Sequence, residues 1–125
     1  MKKIISTNAA PAAIGPYSQA VQVCGMLYLS GQIPLNPQSM QVEVDDVSAQ
    51  TEQVMANIEA VLAEARLTLE NVVKCTVFLK DMNDFVSVNE IYAKYFTENP
   101  PARSCVEVSR LPRDVKVEIE CIAKL

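Results

Sequence analysis

Arg103, Glu118 and Glu120 are the residues of this sequence whose types and placement could do chemistry together. Arg103 opens the run Arg103-Ser104-Cys105-Val106-Glu107-Val108, directly after Pro100-Pro101-Ala102. Two prolines end whatever precedes them and force an extended backbone at the junction. The alternation that follows predicts a β-strand, with Ser104, Val106 and Val108 on a packed face and Arg103, Cys105 and Glu107 on the other. A guanidinium has five donors, no acceptor and a charge at any working pH. Burying it unpaired is costly, so it needs a carboxylate. Glu118 or Glu120, two residues apart on the last predicted strand, can supply one, and the result is a structural ion pair. The other arrangement is a bidentate clamp on a ligand carboxylate. One glutamate is then left to handle a proton or orient a water.

Further candidates are weaker singly. Ser30-Gly31 follows a predicted strand and precedes a proline-containing loop, so Gly31 either makes a turn or lets a ligand approach its backbone N–H. Tyr17, between Pro16 and Ser18, is an amphipathic ring on an irregular segment, suited to packing or to covering a pocket. Asn89 falls within the apolar arc of a predicted helix, where its amide must be satisfied, by backbone in the ordinary case. The chain has no histidine, which removes Ser-His-Asp and Cys-His machinery and the usual zinc sites. Acid–base chemistry must then come from carboxylates, tyrosine, backbone or water. Cys24, Cys75, Cys105 and Cys121 show no C-x-x-C spacing and read as small buried hydrophobes in a reducing compartment. No metal site is expected.

The elements that must position these residues follow from periodicity. Residues 2–5 suit a short strand, and Asn8 to Pro16 a loop. Gln19–Val23 and Met26–Ser30 suit a hairpin turning at Cys24-Gly25. Asp45-Asp46 can cap a long helix with Val47, Thr51, Val54, Ile58, Val61, Leu62 and Ala65 on one stripe. Val72–Leu79 reads as a strand with Val73, Cys75, Val77 and Leu79 on one face. Asp81 or Asn83 can cap a second helix with the stripe Phe85, Val88, Tyr92 and Phe96, stopping at Pro100. Val115–Ala123 is the last strand. The order β-β-β-α-β-α-β-β predicts an α+β fold in which two helices cover one face of a sheet. The other face is expected to carry Tyr28, Ser30, Thr76, Phe78, Arg103, Cys105, Glu118 and Glu120. That mixture suits burial against another subunit, with a pocket where the polar groups collect.

At 125 residues a single domain over 1–125 is expected. Half the residues are hydrophobic and 21% are charged, ordinary globular composition. The net charge of −4 argues against nucleic acid as a partner. No apolar run approaches a membrane span, and Met1-Lys2-Lys3-Ile4-Ile5-Ser6 is too soon interrupted for a signal peptide, so the expected location is cytoplasmic.

Several segments resemble the RidA branch of the Rid (reactive intermediate deaminase, YjgF) family. They are Ala12-Ala13-Ile14-Gly15-Pro16-Tyr17-Ser18-Gln19, Ser30-Gly31-Gln32-Ile33-Pro34, Val77-Phe78-Leu79-Lys80-Asp81-Met82 and Val88-Asn89. The most specific is Pro101-Ala102-Arg103-Ser104-Cys105-Val106-Glu107-Val108 with Arg110-Leu111-Pro112. The resemblance implies a chorismate-mutase-like fold, a mixed sheet of about six strands with two helices on one face, and a homotrimer with clefts between subunits. It implies hydrolysis of 2-imino acids, or their 2-aminoacrylate-type enamine tautomers, to 2-keto acids and ammonia. Pyridoxal-phosphate dehydratases release such intermediates, and the branch needs no metal or organic cofactor. By the same resemblance Arg103 clamps the substrate carboxylate, and backbone at Gly31 and Cys105 lines the pocket beside Ser30. Tyr17 closes the cleft, Asn89 belongs to its wall, and Glu118, rather than Glu120, positions or activates water. Arg66 replaces a glycine common at the end of the first helix, and Cys121 a commoner aliphatic or alanine. Relatives described as ribonucleases, translation inhibitors, chaperones or ligand sensors keep open a non-catalytic, carboxylate-binding alternative.

Overall fold

Cys24 and Gly25, at φ 50° and 76°, turn the chain between β2 (Ala20–Val23) and β3 (Met26–Gln32). Two successive positive φ values match the right-handed twist of a two-residue hairpin. The computed structural model describes residues 1–125. It adds β1 (Lys3–Ile5), α1 (Val47–Glu64), β4 (Val72–Leu79), α2 (Phe85–Tyr95), β5 (Ala102–Glu107) and β6 (Val117–Lys124), in the predicted order. Short 3-10 turns at Leu69–Asn71, Met82–Asp84 and Pro112–Asp114 link them. The six strands form one mixed sheet in the order β1-β2-β3-β6-β4-β5, antiparallel throughout except for the parallel β4–β5 pair. The fold is α+β, with both helices on one face.

Asp46 caps α1 as expected, accepting from the Ala49 N–H at 3.0 Å. The inward stripe of α1 includes Val54, Met55, Ile58, Val61 and Leu62, all fully buried. Each such side chain contributes about 1.5–3 kcal/mol by leaving water. They pack on Leu27, Leu29, Cys75, Val77, Leu79, Val117, Ile119 and Cys121, the helix-side face of the central strands. Two buried amides fix the connection from β3 to α1. Asn57 donates to the Ile33 and Leu35 carbonyls at 3.1 and 3.0 Å. Gln50 donates to the Val44 carbonyl at 3.1 Å and accepts from the Lys116 N–H at 2.8 Å.

Several expectations are corrected. Val73 is exposed and Val72 takes its place in the core, because a register shift between Val72 and Lys74 flips the first residues of β4. α2 ends at Tyr95, five residues before Pro100. Cys24 is exposed in its turn, whereas Cys75 and Cys121 are buried as expected and Cys105 is half-buried. The largest correction concerns β5. It pairs with β4 in the register Cys75↔Arg103, Thr76↔Ser104 and Val77↔Cys105. Arg103 and Cys105 therefore lie on the helix-covered face, with Cys75 and Val77. Ser104 and Val106, expected to be packed, are exposed on the open face.

Candidate active site

Ser30 and Gly31 sit inside β3 where its pairing with β6 slips, Leu29 facing Cys121 and Gln32 facing Ile119. Such a bulge frees backbone groups from the ladder and re-aims them. The Ser30 hydroxyl donates to the Ser18 carbonyl at 2.6 Å, and its N–H donates to the Gln19 carbonyl at 2.9 Å. Glu118, from β6, lays its side chain across Gly31. A Cβ on Gly31 would lie 2.9 Å from the Glu118 Cδ and 3.2 Å from its Cγ. Any larger residue at position 31 would displace that carboxylate.

The loop carrying Tyr17 is held by Gln19, a buried residue whose role the sequence reading missed. Its side chain accepts from the Thr7 N–H at 2.7 Å and donates to the Thr7 and Pro11 carbonyls at 3.1 and 2.8 Å. A polar residue just inside a predicted strand, beside a proline-rich loop, is the available signal for such an anchor. Tyr17 is exposed at the rim. Its hydroxyl accepts from the Ile14 N–H at 3.4 Å. Together Ile14, Tyr17, Ser30, Gly31, Glu118 and Glu120, with Ile33 and Pro112, line an open cleft of about 550 Å³. Burial, and secondarily the charge of Glu120, push the Glu118 carboxyl above its ordinary pKa. Glu120 is the more exposed of the two. No basic residue lines this cleft.

Arg103 is elsewhere. Its Nη1 donates to the Asn89 Oδ1 at 2.7 Å, and its guanidinium lies 4.8 Å from the Tyr92 ring centre and 5.6 Å from that of Phe85. Asn89 is thus satisfied by a side chain, not by the backbone expected for it. The two ion pairs of the chain, Arg110–Asp114 and Lys116–Asp45, do not involve Arg103, so the structural ion pair with Glu118 or Glu120 is not formed. Geometry forbids it: β4 separates β5 from β6, and the glutamates occupy the opposite face. Beneath the guanidinium, Cys75 and Cys121 face each other across β4 and β6 with sulfurs 3.6 Å apart. The Tyr92 hydroxyl is buried without a hydrogen-bond partner, and burial raises its pKa well above the ordinary value. Burial also raises the Cys105 thiol, with Arg103 opposing in part, so Cys105 is not poised as a thiolate.

The candidate residues therefore form two half-sites. One holds Tyr17, Ser30, Gly31, Glu118 and Glu120, with the acid and no cation. The other holds Asn89, Arg103 and Cys105, with the cation and no acid. A second concavity, between Leu69-Glu70 and Tyr95–Asn99, has two carboxylates and no cation and does not suit an anionic ligand.

The chain has relatives among known proteins. A family model described as endoribonuclease L-PSP matches residues 7–125. The 2-iminobutanoate/2-iminopropanoate deaminase of Escherichia coli (strain K12) is 53% identical over 126 residues, covering 98% of each chain. Among solved structures, YyfA of the Rid family from Yersinia pestis superposes with a TM-score of 0.96 at 50% identity, covering 100% of each chain. E. coli TdcF with bound serine does so with a TM-score of 0.94 at 45% identity, covering 98% of each chain. Identity of this extent, over nearly the full length of each relative, places the chain in the Rid (YjgF, endoribonuclease L-PSP) family.

Proposed function

We propose that this chain hydrolyses 2-imino acids and their enamine tautomers, 2-iminobutanoate and 2-iminopropanoate among them, to 2-keto acids and ammonia, at clefts shared between copies in a homotrimer. The observation that carries the reading is the division of the site. A guanidinium with no protein carboxylate stands on one face of the sheet, and a carboxyl with a raised pKa stands over Gly31 on the other. A copy that sets its β5 edge against the next copy's open face brings the halves together. The open face is suited to such contact, since Ile4, Tyr28 and Val106 are exposed there and Phe78 and Ile122 are half-buried.

In the proposed reaction Arg103 holds the substrate carboxylate through two parallel N–H···O bonds and fixes the angle of C2. Backbone at Cys105 and Gly31 borders the substrate beside Ser30, Tyr17 covers it, and Asn89 completes the wall. The imine nitrogen takes a proton from solvent, and the ionised Glu118 takes a proton from a water as the water oxygen bonds to C2 and the C2–N π pair moves onto nitrogen. Glu118 then passes that proton to the amino nitrogen of the resulting carbinolamine, the C2–N bond breaks to release ammonia, and the hydroxyl loses its proton to solvent as its oxygen becomes the keto oxygen. An imine carbon is already electrophilic, so no histidine or strong nucleophile is required, and no step calls for a metal or organic cofactor. A carboxyl raised towards neutrality is better matched to both proton transfers.

The E. coli deaminase at 53% identity supports the reaction class, and the serine in TdcF supports a ligand with an amino-acid-like carboxylate. No helix of the chain is long and apolar enough to cross a membrane, and the proposed setting is the cytoplasm, beside pyridoxal-phosphate dehydratases. The net charge of −4, with two glutamates in the cleft, disfavours a phosphodiester substrate. The test is an imino acid generated in situ by such a dehydratase. Added chain should accelerate keto-acid and ammonia release. Keto-acid binding without acceleration would leave the carboxylate-binding module in place of the enzyme.

A further inference from the structure

We infer that Asn89 is a positioning residue whose neutrality keeps the charge of Arg103 available to the substrate. The inference rests on the reading of Arg103 as a carboxylate clamp and adds what holds the clamp. Phe85, Asn89 and Tyr92 recur at i, i+4 and i+7 on α2, so one helix face presents ring, amide and ring to the same guanidinium. The two rings bound the guanidinium through their π-faces, which attract a cation without cancelling its charge. The Asn89 carbonyl oxygen engages Nη1 at 2.7 Å and fixes one edge. One of five donors is thereby used, and the others remain for a ligand.

The identity of that acceptor is the informative part. A carboxylate at position 89 would hydrogen-bond Arg103 more strongly than an amide, since charge-assisted pairs are the strong ones. It would also neutralise the guanidinium within the subunit and place a negative charge against the incoming carboxylate. Support for Arg103 as a structural element favours the acid. Recognition of an anion favours the amide, and the chain has the amide.

Wild type, Asn89→Ala and Asn89→Asp separate these cases through 2-ketobutyrate affinity by calorimetry, imine turnover and thermal melting. The expected affinity order is Asn, then Ala, then Asp, with Asp weaker than wild type by roughly a hundredfold, the scale of lost bonds to a charged group. The loss falls on KM rather than kcat, because Glu118 and its water are untouched. The Asn89→Asp protein melts at or above the wild-type temperature. If Asn89 is only a structural partner, the aspartate variant binds as well as wild type and alanine is the worst in both affinity and melting, which overturns the inference. An aspartate variant that fails to fold also overturns it, since a carboxylate beside Arg103 is argued to strengthen the local pair. Wild type that binds 2-ketobutyrate but turns over no imine sinks the deaminase reading, and the affinity order still decides the role of Asn89. Wild type that binds no carboxylate sinks both.

Discussion

Glu118 carries a carboxyl raised first by burial and second by Glu120, and this fixes the sign of its pH behaviour. A general base acts in its ionised form, so kcat/KM should fall as pH drops through the raised pKa. That acid limb lies above the ordinary glutamate value of about 4.3. Glu120→Gln removes the smaller cause, so the limb should move modestly to lower pH while the plateau rate holds; an unmoved limb would show that Glu120 is not coupled to the base. Glu118→Gln keeps shape and loses the charge, so 2-ketobutyrate affinity should stay near wild type while kcat drops by about 10²–10⁴-fold. Stability runs the opposite way with pH. The folded state holds the Glu118 proton more tightly than the unfolded chain. Its stabilising effect is complete below the ordinary pKa and is lost as pH rises through the raised one. Arg103 is tested by lysine. Two bonds to a charged group are worth roughly 1.5–3 kcal/mol each, and an ammonium cannot reproduce their fixed angle. Arg103→Lys should therefore fail in binding nearly as badly as Arg103→Ala. Because Arg103 has no ion pair in the chain to break, both variants should still melt cooperatively, and collapse of either fold would count against the clamp.

The C-terminus of α1 carries a cost that its sequence announces. Arg66 sits at φ 61°, in the left-handed region. Its N–H bonds the Ala63 carbonyl and that of Leu67 the Leu62 carbonyl, each at 2.9 Å, the closure in which glycine is usual. Arg66→Gly should raise stability by about 1 kcal/mol, the side chain's penalty there, read as a higher melting temperature with activity unchanged. Features of this local kind were legible. Asp46 and the stripe through Ile58 located α1, Cys24-Gly25 located the hairpin, and alternation located β4, β5 and β6, while β3 runs two residues past the expected end at Ser30. The face of β5 was not, because both of its parities mix polar and apolar residues, so alternation cannot choose between them. The choice is made by the Cys75↔Arg103 register with β4, a contact between residues far apart in sequence. The same blindness at Val73, where one slipped residue flips the pattern, affects only packing. At Arg103 it moved the cation from one half-site to the other. The motif residues were legible as a set, but not the sheet that stands between them. Nor did the helical stripe through Phe85 and Tyr92 reveal that its rings face a guanidinium as well as the core.

At the scale of the molecule, a sheet with Arg103 on one face and Glu118 on the other cannot catalyse alone if both are needed. A monomer in sedimentation at micromolar concentration would therefore contradict the proposed function directly, and a trimer is expected. Subunit mixing is the stronger test, because it asks which chain supplies which half. Arg103→Ala and Glu118→Gln trimers should each be inactive. When equal amounts are unfolded together and reassembled at random, each cleft draws its Arg103 half from one chain and its Glu118 half from a neighbour. A cleft is intact when the first comes from the Glu118→Gln chain and the second from the Arg103→Ala chain, a probability of about one quarter for closed rings of like subunits. The mixture should recover about a quarter of wild-type turnover, while the double variant mixed with itself recovers none. If both groups acted from the same chain, every cleft in every mixture would lack one of them. Activity would then stay at the single-variant level, and the shared-cleft reading would fall even with the trimer intact.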